Sequence, residues 1–538
     1  MVPKNRFYNQ WNDVTRVDVD HSMIYIGPRE KFEQPMDKGS WFWIEGVKSE
    51  LDTPNEWYLD AEKGRLFFLP EKGQNPNKLD FVAPFLNRIL YLKGDVEKGT
   101  HVQYVNFRGL EFRHTSFTLG QIEARVHTDG AVMLENATNC SVEECHFENI
   151  GGYALWLHLD SKNNAFRRNT VSNSGGGGVL LTGARLSYMD DSKIYTPGKL
   201  SMQVAPIMNE ISHNTVMHCG KIRYYGGGVH VDSRPASMGH MTGNTITHNH
   251  FYDLSRNGIF MFRNQGGSII AFNEINNCMQ TTIDGACIHL ASMNRFNAPN
   301  FILNNYLHDA MGFEQHPDGI PTRTLANGIF LDWATSNTTV RNNYIYNTGG
   351  ETIKPIMGNW NLDIEDNYVS DTRIEPPFLG EIGPKGKAEP FIDPNQLILK
   401  GRVVNWSDEG LVTYSGKWEQ TSVSGLRNLF QYNHKIASTE SSSECTFQLP
   451  VSESGLYIIG LNYFANKRNA TNAKITIKFA EGEHVVKWDF SKGDRLGFTL
   501  RIGEFYLDKD KPASVTISNT KADGYIVADG VGYIKVKN

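Results

Sequence analysis

One short phrase recurs between about residue 105 and residue 371: an apolar residue, two more residues, Asn, one residue, and a second apolar residue. It reads F-R-R-N-T-V at Asn169, I-S-H-N-T-V at Asn214, I-T-H-N-H-F at Asn249 and I-A-F-N-E-I at Asn273. It returns as I-L-N-N-Y-L at Asn305, V-R-N-N-Y-I at Asn343 and I-E-D-N-Y-V at Asn367, with V-E-E-C-H-F placing Cys145 in the Asn slot. Successive spacings from Cys145 are 24, 45, 35, 24, 32, 38 and 24 residues, so 24 is the base period and the excess is insertion. A second apolar run follows each phrase, usually after Gly: Y-A-L-W-L, G-V-L-L-T, G-V-H-V-D, G-I-F-M-F, C-I-H-L-A and G-I-F-L-D. These runs alternate, so one set of side chains faces inward and the other outward. Val179, Val229, Ile259, Ile288 and Ile329 fall in the inward set, followed by Leu181, Val231, Met261, Leu290 and Leu331.

A short β-rich repeat with apolar alternation and Asn at one fixed place predicts a parallel β-helix, each coil stacked on the last at about 4.8 Å. The Asn column is expected to hydrogen-bond along the stack at a tight turn where Asn tolerates a left-handed backbone, a structural duty. The period carries neither the helix nor the L-x-x-L-x-L phrase of a leucine-rich repeat.

The flanks read differently. Residues 1–100 contain W-F-W-I-E-G-V and E-W-Y-L-D-A-E-K-G-R-L-F-F-L-P, the second a strand–turn–strand hairpin in a small β-rich N-terminal region. Residues 372–398 are rich in Pro and Gly and read as a linker. Residues 399–538 hold strands at short intervals, the pattern of a β-sandwich. The expected organisation is thus all-β: a β-rich region 1–100, a right-handed parallel β-helix 101–371, a linker 372–398 and a β-sandwich 399–538.

Charge and apolar patterning exclude several classes. Lys plus Arg number 53 against 59 Asp plus Glu, a net charge of −6, which argues against a dedicated nucleic-acid or anionic-membrane binder. No apolar run reaches about 18 residues, so no membrane-spanning helix is expected. The six Cys residues lack C-x-x-C spacing and read as buried small hydrophobes. Residues 1–8 lack the apolar core of a signal peptide; the chain either acts inside the cell or begins after such a segment.

Two phrases carry chemistry: I-D-G-A-C-I-H-L around Asp284, and N-G-I-F-L-D-W ending at Asp332 and Trp333, with I-L-N-N-Y-L-H-D between them. Together they resemble the right-handed β-helix glycoside hydrolases, whose pattern is D-G-G-A-I-Y, N-x-I-H-D and G-I-Y-L-D. Glycoside hydrolase family 141 is the nearest in pattern, family 120 more distant. The resemblance covers roughly residues 40–370 and implies α-L-fucosidase or xylan-cleaving activity on a complex glycan, outside the cytoplasm. His289 and Phe330 stand where that group usually has Tyr, and Trp333 where a second acid is common. The C-terminal region resembles the golvesin-type, xanthan-lyase-type accessory domain through D-E-G-L-V-T-Y-S-G-K-W, N-K-R-N-A-T-N-A-K-I-T-I, L-G-F-T-L-R-I-G-E-F-Y-L and G-Y-I-V-A-D-G-V-G-Y. Such domains are taken to bind carbohydrate.

Glycoside hydrolysis needs two carboxyl groups flanking the scissile bond. Outward columns read off the strands run Trp156, Leu180, His230, Phe260, His289, Phe330 and His158, Thr182, Asp232, Phe262, Ala291, Asp332. Insertions concentrate beside the same coils, and long loops on a regular scaffold build sites. Asp284 and Asp332 are therefore the expected acid pair, brought together if the inserted loop folds back, with Asp332 as general acid and Asp284 as nucleophile or base. Asp232, three coils from Asp332 and roughly 14 Å away, is expected to accept from a substrate hydroxyl or to serve as a third acid. His230, Arg263, His289, Glu314, His316 and Trp333 are the further substrate-binding candidates, with Glu314 the substitute acid. A turn role for Asp284, a strand-end role for Asp332 and plain coil packing for the aromatics are the competing readings. No H-x-x-x-H or H-E-x-x-H spacing occurs, so neither metal nor cofactor is expected. Two other functions compete: a polysaccharide lyase on a uronate glycan, and a non-catalytic glycan-binding β-helix.

Overall fold

The computed structural model describes the chain apart from residues 3–7, 29–35, 37, 96–97, 118–121, 124–125, 128, 184–204, 233–242, 263–265, 292–298, 311, 313–325, 333–334, 357–358, 360, 388–400, 407, 426–429, 464, 493–498 and 537–538. Among the described residues three nine-stranded sheets, each wholly parallel, run side by side along a β-helix. The first sheet passes from Leu90–Lys93 through Tyr153–His158, Val229–Asp232, Gly285–Ala291 and Ala326–Leu331 to Ile353–Pro355. The second ends in Leu362–Glu365 and the third in Tyr368–Ser370. The helix starts before residue 101: Leu90–Lys93, assigned from sequence to the N-terminal region, already pairs with Gly130–Glu135.

The strand register reproduces the columns read from the sequence. Val179 lies beside Val229, Val229 beside Ile259, Ile259 beside Ile288 and Ile288 beside Ile329. All five are fully buried in one continuous core with Leu181, Val231, Met261, Leu290 and Leu331. A period-2 alternation leaves no second solution, because a one-residue slip would turn this whole set outward.

The Asn column forms one buried hydrogen-bonded ladder. Nδ2 of Asn169 donates to Oδ1 of Asn214 at 3.0 Å, and the same bond runs 214 to 249, 249 to 273, 273 to 305, 305 to 343 and 343 to 367, each 2.9–3.0 Å. The left-handed conformation falls on the residue before each ladder position, not on the Asn itself: Glu144, Arg168, His213, His248, Phe272, Asn304, Asn342 and Asp366 all have φ between 52° and 57°. Each costs roughly 1–2 kcal/mol outside glycine. The ladder offsets that cost, since the Asn carboxamide satisfies buried backbone groups of the neighbouring coils. A second ladder, through Asn164, Asn209 and Asn244, stands five residues earlier and continues through Ser268 to Asn300.

The N-terminal region carries the expected hairpin, Trp57–Asp60 against Arg65–Phe68, turning at Gly64 with φ 59°. Its first residues are anchored to the coils. The buried Arg223 guanidinium donates to the Asn9 carbonyl at 2.6 Å, and Asn9 bonds the backbone at Ile222 and Tyr224. Downstream, residues 401–535 form antiparallel sheets around a core of their own, including Phe447, Ile459, Ile475, Phe490 and Val531. The Pro/Gly-rich stretch is no bare joint along its first half. Phe378 packs with Tyr306 and Tyr346, Gly383 N–H bonds the His248 carbonyl, and Arg168 donates to the Pro384 and Gly386 carbonyls. All six cysteines are buried and unpaired. No helix of the described residues is long and apolar enough to cross a membrane.

Candidate active site on the first sheet

The outer face of the first sheet presents a stack of rings. His230 meets Phe260 at 5.0 Å between centroids, Phe260 meets His289 at 4.7 Å, and His289 lies parallel to Phe330 at 4.6 Å. Lys354 caps the row over Phe330. The outward column is thereby sealed: His230, Asp232, Phe260, His289 and Phe330 are all buried. Tyr225 closes it from the side, packing edge-on against Phe260 and tilted against His230, with the Arg256 guanidinium over its ring. Tyr225 thus serves packing; its ring is not free to stack on a sugar.

Burial sets the charge state of this face. It pushes the His230 imidazole down to about 3, helped by Arg256 and His289, because an imidazolium loses its hydration there. His158 is pushed down to about 4 by burial and holds Thr182 Oγ1 at 2.7 Å, with Trp156 Nε1 donating to the same hydroxyl. Neither ring nitrogen of His230 has a hydrogen-bond partner among the described residues. His230 and Asp232, expected to touch substrate, lie behind the surface as placed and support the face from beneath it.

Asp332 is different. It follows directly on Ala326–Leu331, its N–H bonds the Leu290 carbonyl, and its carbonyl accepts from Thr335 N–H at 3.1 Å. Its side chain is 16% exposed, and Oδ2 lies 3.3 Å from His289 Nε2. When Asp332 is a carboxylate it can only accept, and the contact then has Nε2–H donating to Oδ2. Some long connections leave the sheet at the edge where Asp332 stands, while others, including the one between Ala310 and Ala326, enter the sheet at its opposite end. Thr182 and Glu210, Asp232 and Thr245, and Ala291 and Asn300 bracket longer links than the six-residue one between His158 and Ala165.

Asp284 is not at that edge. Its residue is exposed, with φ 61°, at the turn entering Gly285–Ala291, and Arg256 fixes the turn by donating to the Ile283 and Asp284 carbonyls at 3.0 and 2.7 Å. Gly285 pairs with Ala326, and Leu290 with Leu331, which puts Asp332 beside Ala291. Asp284 therefore lies seven residues back along the strand, about 23 Å at about 3.3 Å per residue. The loop does not fold back, and the expected pair is not brought together: the register separates it well beyond the roughly 5–9.5 Å that glycoside hydrolysis needs. Asp284 acts as the turn residue. Asp232 shares the Asp332 column, but Phe262 and Ala291 intervene, keeping it three coils away. Arg263, Glu314, His316 and Trp333 lie outside the described residues, as do Asp318, Arg323 and Trp360.

Arg256, Thr182 and His158 were not picked out as site residues from the sequence. The two column residues were legible as outward positions; Arg256 sits in a turn where nothing in the pattern marks it. Among the described residues no group of three or more His, Cys, Asp or Glu is arranged to hold a metal ion.

Comparison with known proteins separates the chain into two recognised parts. The model of the right-handed β-helix region matches residues 102–252, and that of the Golvesin C-terminal domain matches residues 402–535. Each match covers less than a third of the chain. No curated protein matches it. Among solved structures, a Paenibacillus xanthan lyase is 21% identical over 26% of this chain and 13% of its own, with a TM-score of 0.23. A protein titled glycoside hydrolase is 14% identical over 60% of this chain and 57% of its own, with a TM-score of 0.46. The tailspike protein of E. coli bacteriophage HK620, solved with a pentasaccharide, is 9% identical over 81% of this chain and 70% of its own, with a TM-score of 0.25. The chain thus spans 13% and 57% of the first two proteins it matches.

Proposed function

We propose that the chain is a glycoside hydrolase acting on a complex polysaccharide or oligosaccharide, with its reacting centre at Asp332. The observation that carries the reading is the Asp332–His289 pair: a partly exposed carboxylate beside a buried imidazole at the end of a first-sheet strand. The N-G-I-F-L-D-W phrase that resembles the β-helix hydrolases ends on this same aspartate.

The pair fits one of the two roles in sugar transfer. A carboxylate held by an N–H on Oδ2 can attack the anomeric carbon or take a proton from water. The partner carboxyl must stand about 5–9.5 Å away; Asp284 and Asp232 lie farther off, and Glu314, in the connection that enters the strand at Ala326, is the substitute acid offered by the sequence. A uronate lyase needs a cation facing the substrate carboxylate. On this face Arg256 is held by two backbone carbonyls and Lys354 lies over the Phe330 ring.

The test is a panel of plant and microbial glycans incubated with the wild-type chain and with Asp332→Asn. New reducing ends without the ultraviolet absorbance of an unsaturated uronate, lost in the variant, support hydrolysis at Asp332. An unsaturated product would establish a lyase instead. Full turnover in the variant would remove Asp332 from the chemistry, and no turnover of any glycan would favour a binding protein.

A further inference from the structure

Away from Asp332, the N-terminal region leaves large aromatic side chains in solvent. Phe42 is 63% exposed and Trp43 41%, although rings of this size usually dominate buried surface. Both line a cavity of about 460 Å³ together with Trp11, Asn12, Asp13 and Glu45. We propose that this cavity is a second glycan-binding subsite that takes a neutral sugar residue of a polymer chain; the proposal rests on the hydrolase reading above.

Three observations point the same way. A pyranose offers an apolar C–H face and a rim of hydroxyls, so it needs ring faces beside hydrogen-bond acceptors. The cavity provides both: Trp43 and Phe42 supply rings, and Trp43 Nε1 donates to Glu45 Oε1 at 2.7 Å, which pins the indole beside a carboxylate. The charged side chains among the described lining residues, Asp13 and Glu45, are both acidic. The Glu45 carboxylate can accept from sugar hydroxyls and would repel a uronate, which selects a neutral sugar.

The third observation is continuity. Trp43 stacks on Tyr224 at 6.1 Å between centroids, with 26° between planes. The next residue, Tyr225, packs on His230 in the outer column. Consecutive residues of one loop therefore join the cavity to the face that ends at Asp332. The loop is itself tied to the N-terminal segment through Arg223 and Asn9, so cavity and face keep their relative position. A polymer held in the cavity would be tethered to the scaffold that carries Asp332.

The experiment is affinity electrophoresis of the full chain carrying Asp332→Asn, run through gels containing xylan, xyloglucan, galactomannan or polygalacturonate. The expected result is retardation in at least one neutral gel and none in polygalacturonate, with affinity weakened up to about tenfold by Trp43→Ala and by Phe42→Ala. Both rings are exposed, so unfolding midpoints should stay unchanged. Glu45→Lys, which keeps the rings and reverses one charge, should raise retention in polygalacturonate. Unaltered retardation in both ring variants, retention in polygalacturonate without the Lys substitution, or no retardation in any neutral gel would each overturn the subsite. Failure of the hydrolase reading shows separately, as glycan turnover persisting in Asp332→Asn.

Discussion

His289 Nε2 stands 3.3 Å from Asp332 Oδ2, although His289 belongs to the strand of one coil and Asp332 closes the strand of the next. The contact depends on the 41-residue offset that pairs Leu290 with Leu331. Coil stacking, not sequence proximity, makes the pair. Replacing His289 with Phe keeps the ring stack on Phe260 and Phe330 and removes the N–H. Turnover should fall by about 10²-fold or more with the fold intact, read as kcat on whichever glycan the wild type cleaves. A kcat within twofold of wild type would show that the imidazole does not orient Asp332.

The Asn ladder should behave as a stability element. Asn305 donates to the Ile270 carbonyl and to Asn343 Oδ1, both at 2.9 Å, and accepts from Asn273 Nδ2 at 3.0 Å and from its N–H at 3.1 Å. Asn305→Ala leaves these buried groups without partners, at about 1–3 kcal/mol each after partial relaxation. Denaturant unfolding of the β-helix should lose on the order of 3 kcal/mol. A loss below about 0.5 kcal/mol would contradict the structural role.

Acid should weaken the first sheet. His230, pushed down to about 3 from 6.5, binds its proton in the unfolded chain before it does so in the folded one. Its contribution to stability is complete above pH 6.5 and is lost as pH falls toward 3. Stability should therefore rise with pH across this window, and His230→Phe should flatten the slope. An unchanged slope in that variant would show that His230 titrates normally in the fold.

The stretch after the last coil should belong partly to the helix. Ending the chain after residue 387 keeps Phe378 against Tyr306 and Tyr346 and keeps the Arg168 bonds to Pro384 and Gly386. Ending it after residue 371 removes them. The longer fragment should unfold at a higher temperature, and equal midpoints would mean that this packing contributes nothing.

Much of the fold was legible because a β-helix repeats its rules. Two-residue alternation placed Val229, Ile259 and Ile288 inward, and the 24-residue period aligned the ladder. The left-handed residues before each ladder position were not legible: Glu144, Arg168 and Phe272 share no side-chain chemistry, and the turn forces their backbone. The site was legible in part. Asp332 ends an outward column and could be found from the pattern. Asp284 entered through a motif, and its position along the strand was hidden until the pairing of Gly285 with Ala326 fixed the register. The seal over His230 was hidden too, because it is made by Tyr225, a loop residue that periodicity does not place.

Asp332 and Asp284 separate the account most directly. Asp332→Asn and Asp284→Asn, each confirmed as folded, should be compared by kcat on a glycan that the wild type hydrolyses. Asp332→Asn is predicted to lower kcat by orders of magnitude, while Asp284→Asn, an exposed turn residue about 23 Å away along the strand, stays within a few-fold of wild type. Loss of activity in Asp284→Asn with activity retained in Asp332→Asn would contradict the assignment of the reacting centre.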